Sequence, residues 1–188
     1  MVFALLSNVV VRPVLAADLP RIKAMHDRAF GPGRYVRAAH RVREGLPDFS
    51  DVCLLAERDG RLIAAIRFTP ITIGGVPDAL MLGPLAVEPA FAGQGVGRQL
   101  VAIGVERARE LGYRLIVLVG DEPYYGKFGF KPVPLQQIRM PGPVNTARLL
   151  ANELEPGCLP GFHGLVEGDL RQQSRRFPAA MPLKLAAE

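Results

Sequence analysis

Ala92-Gly93-Gln94-Gly95-Val96-Gly97-Arg98 stands between an apolar run ending at Val87-Glu88-Pro89 and the most regular helical pattern in the chain. Val96, Leu100, Ile103, Arg107 and Leu111 are spaced by three or four, which predicts a helix over 96–111 with Gly112 as its stop. Alternating glycines ahead of a helix allow a ligand to approach the backbone closely. The free N–H groups and positive dipole end of the helix then favour an anion, and Arg98 adds a full charge. A bland tight turn needs fewer glycines than this. Two phosphate motifs are excluded by counting. A dinucleotide fingerprint needs Gly at its sixth position, which is Arg98 counted from Gly93 and Leu100 counted from Gly95. A Walker loop needs Gly-Lys-Ser/Thr, and no Lys occurs in the turn.

Upstream, Val9–Val14, Val52–Glu57, Leu62–Thr69, Ile71–Ile73 and Ala79–Val87 read as strands, with an Asp59-Gly60 hairpin signal and a Gly74-Gly75 turn. Gly83-Pro84 lies inside the last of these. A proline donates nothing to a ladder, so the strand is expected to be bulged or to turn that position away from a partner. Asp18 is expected to cap a helix with Pro20 in its first turn and with Ile22, Met25, His26 and Ala29 on one face. Gly31-Pro32-Gly33 stops it, and Tyr35–Glu44 reads as a second short helix. Downstream, Leu115–Val119 is a fully apolar run suited to the middle of a sheet. Tyr124–Phe128 reads as a short helix, Phe130–Val133 as a strand, Asn145–Leu154 as a helix and Phe162–Val166 as a strand. The order indicates a mixed α/β domain around one twisted sheet.

The chain has 188 residues, 49% hydrophobic and 22% charged, which suits one domain over 1–170 with a surface extension at 171–188. Two cysteines, Cys53 and Cys158, exclude a disulfide framework or a Cys-rich zinc module and fit a reducing cytosol; no metal is expected. Met1–Ser7 lacks the basic start of a secretory signal, and no stretch reaches the ~18 apolar residues of a membrane span. A cytoplasmic protein is the expectation. The net charge of +5 favours anionic partners, and Arg21, Lys23, Arg28, Arg34, Arg37, Arg41 and Arg43 cluster against Asp27 alone. Without interleaved aromatics or a zinc spacing, this cluster is a poor nucleic-acid footprint and fits solvated helix faces equally well.

Three blocks together resemble the GNAT superfamily of acyl-CoA-dependent N-acetyltransferases: Leu82-Gly83-Pro84-Leu85-Ala86-Val87-Glu88-Pro89, Gly93-Gln94-Gly95-Val96-Gly97-Arg98, and Tyr124-Tyr125-Gly126-Lys127-Phe128-Gly129-Phe130. The likeness spans Leu82 to Val133. Gly95 and Gly97 match the last fixed positions of the superfamily's turn, whereas Ala92 stands where Gln or Arg is usual. The superfamily's Asn-x-x-Ala segment before the tyrosine is replaced by Gly120-Asp121-Glu122-Pro123.

The resemblance implies a single domain whose mostly antiparallel sheet is splayed at an acyl-CoA site, with helices on both faces. It implies acetyl-CoA as co-substrate and direct attack by a primary amine, from a small molecule or a peptide. Ala92, Gly93, Gln94, Gly95, Val96, Gly97 and Arg98 would hold the pyrophosphate. Leu85, Ala86 and Val87 would pair with the pantetheine, the Val87 N–H polarising the thioester carbonyl. Tyr125, opening Tyr-x-Lys-x-Gly-Phe, aligns with the general acid, and Tyr124 is the second choice. Tyr125 could instead simply pack beneath its short helix.

The residues leave the base open among Glu57, Asp78, Glu88, Asp121, Glu122 and His26. The place of His26 on an apolar helix face favours a core histidine. The Arg21–Arg43 region matches the acceptor side of such a fold, so Arg34, Arg37 and Arg41 are expected to favour a carboxylate- or phosphate-bearing acceptor. The alternative function is a regulatory module that binds acyl-CoA without turnover, and a homodimer is the default assembly.

Overall fold

A computed structural model describes residues 8–32 and 38–171. The expectations for Met1–Ser7, Gly33, Arg34, the start of the second helix, Arg37 and the extension beyond 171 lie outside the described residues. Strand β1 (Val9–Pro13) leads to helix α1 (Leu19–Phe30) and the short α2 (Ala38–Arg41). β2 (Leu54–Arg58), β3 (Arg61–Ile73) and β4 (Val76–Val87) form an antiparallel meander. Then follow α3 (Val96–Glu110), β5 (Leu115–Val119), the single turn α4 (Glu122–Tyr125), β6 (Lys131–Pro132), β7 (Ile138–Arg139), β8 (Leu149–Glu153) and β9 (Gly164–Gly168).

The sheet runs β1-β2-β3-β4-β5-β8-β6, with β9 pairing β3 and β7. It is mostly antiparallel; β4–β5 and β7–β9 are the parallel pairs. Period-2 alternation divides the core between two faces. Leu80, Leu82, Ile116 and Leu118 pack with Leu100, Val101 and Val105 of α3, while Ala79, Met81, Leu115 and Val117 face Ala38 of α2 and Phe162. Ile22 and Met25 of α1 cover Leu55, Ala65 and Ala86. Each such fully buried aliphatic side chain contributes roughly 1.5–3 kcal/mol of transfer free energy, which is why helices occupy both faces of the sheet.

Two features place the site. First, β5 pairs with β4 only from Ala79↔Leu115 to Met81↔Val117, whereas on its other side it pairs with β8 along its whole length, Leu115 to Val119. Second, Ile66 pairs with Leu85 and Phe68 with Leu82, so Gly83 and Pro84 together oppose Arg67 alone. This is the bulge expected from the proline. β4 and β5 therefore part company beyond Met81, leaving the second half of β4 with an open edge.

Several local expectations are corrected. Asn145–Leu154 is not a helix. Asn145 caps a 3-10 turn at Thr146–Arg148, its Oδ1 accepting from Ala147 N at 3.0 Å, and Leu149–Glu153 continues as the strand beside β5. The apolar face suggesting a helix serves as well for a buried strand, and the vacancy along β5 decided between them. The last strand lies at Gly164–Gly168, two residues later than expected, with Phe162 fully buried ahead of it. Thr69 and Ile71 belong to one strand through Pro70. Ala29 is exposed and does not share the buried face of Ile22 and Met25. Asp18 stands at the α1 N-cap, but its Oδ2 accepts from Leu15 N behind it at 2.9 Å and gives α1 no cap hydrogen bond. It instead takes Arg12 at 2.7 Å and Arg21, while Arg12 and Arg21 also hold Glu57 at 2.9 and 2.6 Å.

Candidate active site

The glycine turn follows a 3-10 turn at Pro89–Phe91. Gly93 and Gly95 take φ of +75° and +89°, left-handed backbone that costs other L-residues energy. Gln99 N donates to Gly95 O at 3.0 Å, closing the first turn of α3, and the amides ahead of it point out of the helix N-terminus. They open into a hollow of about 550 Å³ whose walls include Val87, Gly95, Gly97, Arg98, Tyr124 and Lys127. Ala92, Gly93 and Val96 also line it. Gln94 does not: its side-chain amide turns back to Ala90 O at 2.8 Å. Gly97 is needed for space, since a Cβ there would lie 3.2 Å from both the Tyr124 hydroxyl and Val87 Cγ2.

The open edge of β4 runs from this hollow into a larger cavity of about 1070 Å³. Glu88 N donates to Ile63 O at 2.8 Å, and antiparallel hydrogen bonding alternates. The Val87 and Leu85 amides therefore point away from β3, toward the open edge. Leu85 lines the large cavity and Val87 the hollow, whereas Ala86 is buried beneath α1.

Tyr124 and Tyr125 divide the same way. Their rings meet edge to face with centroids 4.8 Å apart; Tyr124 lines the hollow and Tyr125 the large cavity. The Tyr125 ring also meets Phe130 edge to face at 5.9 Å. The turn carrying both tyrosines is fastened by Asn152, whose Nδ2 donates to Phe128 O at 2.6 Å. Burial, aided by Tyr124 and Asp121 and opposed by Arg148, pushes the Tyr125 phenol up to about 12, so it keeps its proton at neutral pH. Burial also raises Tyr124, against the charge of Arg98.

The sequence matches the Acetyltransferase (GNAT) family over residues 19–130. The chain belongs to this family. It is 32% identical to the Escherichia coli (strain K12) N-acetyltransferase YhbS over 160 residues, spanning 84% of this chain and 94% of YhbS. The crystal structure of YhbS in complex with CoA aligns with a TM-score of 0.73 at 30% identity, covering 91% of this chain and 94% of that one. A GNAT acetyltransferase from Brucella melitensis in complex with acetyl-CoA aligns with a TM-score of 0.58 at 29% identity, covering 86% and 93%. The protein is thus an acyltransferase of the GNAT fold, with the mixed, mostly antiparallel sheet that the resemblance implied.

Within this GNAT domain the six base candidates separate clearly. Glu57 is held by Arg12 and Arg21, Glu88 by Arg28 at 2.6 Å, and Asp121 by Arg148 at 3.0 Å. Asp78 sits at the opposite end of β4, where its carbonyl accepts from Arg114 N at 2.8 Å. Glu122 is exposed in the first turn of α4. His26 alone of the six lines the large cavity with Tyr125. It is half-buried against Phe30, on the cavity wall and not in the closed core.

The basic cluster also divides. Arg21 and Arg28 are committed to ion pairs, and Arg41 reaches Pro141 O at 3.2 Å. Lys23, His40 and Arg43 line the cavity. Lys127, Arg67 and Arg148 also line the two cavities; Lys127 is signalled by its place in Tyr-x-Lys-x-Gly-Phe, whereas nothing in the spacing of Arg67 or Arg148 ties them to the turn or the tyrosines. Both cysteines are buried: Cys53 Sγ exchanges contacts with the Phe68 backbone at 3.3 Å, and burial pushes the Cys158 thiol up. Neither is arranged as a nucleophile. No helix among the described residues is long and apolar enough to cross a membrane, and no group of three or more His, Cys, Asp or Glu there could hold a metal ion.

Proposed function

We propose that this GNAT protein transfers the acetyl group of acetyl-CoA to a primary amine. The observation that carries this reading is the open edge of β4, flanked by the glycine hollow at one end and by the Tyr125 cavity at the other. The hollow suits a pyrophosphate: the amides of the α3 N-terminus, Arg98 and Lys127 all supply donors or positive charge. The outward amides of Leu85 and Val87 suit an extended chain bearing amide groups, laid down as an added strand. The Val87 N–H then stabilises negative charge developing on the thioester oxygen.

The amine must attack as the free base, although such amines are mostly protonated at pH 7. His26 is the candidate placed to receive that proton. The amine nitrogen bonds to the carbonyl carbon, the C–S bond breaks, and its electron pair goes to sulfur. An ordinary thiol, near 8.5, is a stronger acid than a phenol raised to about 12. Tyr125 therefore gives up its proton to sulfur only as it regains one from the newly acylated nitrogen. The amine's second proton ends on the thiol, and Tyr125 is restored.

Calorimetric titration with acetyl-CoA tests the reading, using wild type and Gly95→Glu. The glutamate would put a like charge and a strained backbone in the hollow, so micromolar binding should be lost. Thiol release over an amine panel then distinguishes an enzyme from a module that holds acyl-CoA without turnover. A wild type that does not bind acetyl-CoA would sink the reading.

A further inference from the structure

Two arginines face the large cavity without a buried counter-charge. Arg43 enters from the segment after α2, and its Nη2 would lie 3.7 Å from a Cβ placed on Gly83, so the guanidinium sits over the β4 bulge. Its Nε is enclosed and has no hydrogen-bond partner among the described residues. Arg67 projects from β3 opposite that bulge; its Nη2 donates to Pro47 O at 2.6 Å, and its ion partner Asp48, at 3.5 Å, is 77% exposed. The cavity wall carries Lys23, His26, His40, Arg43, Arg67 and Arg148, against Asp48 as the one carboxylate among the described lining residues. The remaining wall is largely apolar, with Ile22, Phe30, Phe49, Met81 and Val144.

Burial first, and the charge of Arg67 second, push the Arg43 guanidinium down to about 9, so it remains a cation at neutral pH. Burial lowers Arg67 in the same way. Two like charges enclosed side by side are costly unless something neutralises them. A guanidinium is also the group whose forked donors match an oxyanion best.

We infer that the acceptor amine carries an oxyanion, a carboxylate or a phosphate, on an apolar body, and that Arg43 and Arg67 bind this group beside Gly83. The inference rests on the acetyltransferase reading and names its substrate class. It moves the anion site from Arg34, Arg37 and Arg41 to residues that line the cavity.

The test uses the full chain and three sets of amines: leucine, phenylalanine and 6-aminohexanoate; their carboxamides; and phosphoethanolamine with ethanolamine. Initial rates of thiol release give KM, and calorimetric titration of CoA-loaded protein with the same amines reads binding apart from turnover. The expected result is an affinity at least tenfold higher for an anionic amine than for its neutral partner. The carboxylate and phosphate arms report which oxyanion is taken. Arg43→Met should collapse that preference to within about threefold while acetyl-CoA still binds, and Arg43→Lys should restore part of it. Arg67→Met provides an independent variant should Arg43→Met fail to fold. Equal or better use of the neutral amines, a preference surviving both methionine variants, or no binding of any anionic amine would overturn the inference. Wild type that binds acetyl-CoA yet shows no anionic preference sinks this inference alone, whereas failure to bind acetyl-CoA sinks the acetyltransferase reading beneath it.

Discussion

Gly120 and Tyr125 are packed so closely that a Cβ on Gly120 would lie 2.5 Å from Tyr125 Cε2 and 2.8 Å from Leu118 Cδ1. The tyrosine ring therefore lies against bare backbone at the end of β5. Gly120 does not need its conformational freedom; it needs its lack of a side chain. Gly120→Ala should displace the Tyr125 ring, and a misplacement of about 1 Å at a reacting group costs about 100-fold in rate. We expect kcat to fall by that order with the Kd for acetyl-CoA changed less than threefold. A Gly120→Ala enzyme with wild-type kcat would remove Tyr125 from the chemistry.

Tyr125→Phe keeps the ring and its contacts with Tyr124 and Phe130 but removes the proton. General acid catalysis contributes about 10²–10⁴-fold, so kcat should drop within that span. The acid works only when protonated, and its value of about 12 lies far above neutrality. Wild-type kcat should therefore show no falling limb from this group below about pH 11. A limb near pH 9–10 that vanishes in Tyr125→Phe would show a far less buried phenol.

Gly104 of α3 faces the fully buried Phe68 of β3, and a Cβ at Gly104 would come within 2.4 Å of the ring. Alanine in a helix interior gains up to about 1 kcal/mol over glycine, but overpacking a core costs about 1–3 kcal/mol. Gly104→Ala should therefore destabilise the fold, and Phe68→Leu in the same chain should recover part of the loss. A double-mutant cycle in urea reads the coupling directly.

The Arg12, Arg21, Asp18 and Glu57 cluster ties β1 and α1 to β2. Its arginines hold both carboxyls below their usual range despite burial. A carboxyl depressed in the folded state stabilises it above the unfolded value, about 3.9, and that contribution is lost as pH falls further. Asp18→Asn should lower Tm between pH 5 and 8 by a few degrees, on the order of 1–2 kcal/mol. The gap should narrow steadily below pH 4. A gap independent of pH would assign the effect to packing.

Residues 82–130 were readable because each feature there has a local cause. Alternating glycines permit left-handed backbone, three-to-four spacing makes α3 amphipathic, and a proline inside a strand forces a bulge. The carboxyl-terminal third was less readable: Asn145–Leu154 carries an apolar pattern compatible with helix or strand, and only the unfilled side of β5 settled it. Asp18 shows the same limit. Its position is that of a cap, but two arginines, one on α1 and one from β1, compete for the carboxylate and win.

The sequence by itself determined the glycine turn, the helix it opens, the bulged strand before it and the tyrosine pair after it. Short-range sterics and hydrogen bonding set these within a few residues of chain. Only the tertiary structure decided that β4 and β5 diverge beyond Met81, that Tyr124 and Tyr125 line different cavities, that His26 alone of the base candidates reaches the larger one, and that Arg43 and Arg67 line that same cavity at the β4 bulge. Those relationships depend on which distant elements share a sheet edge or a cavity wall. That is fixed by packing the whole core at once, and no local spacing records it.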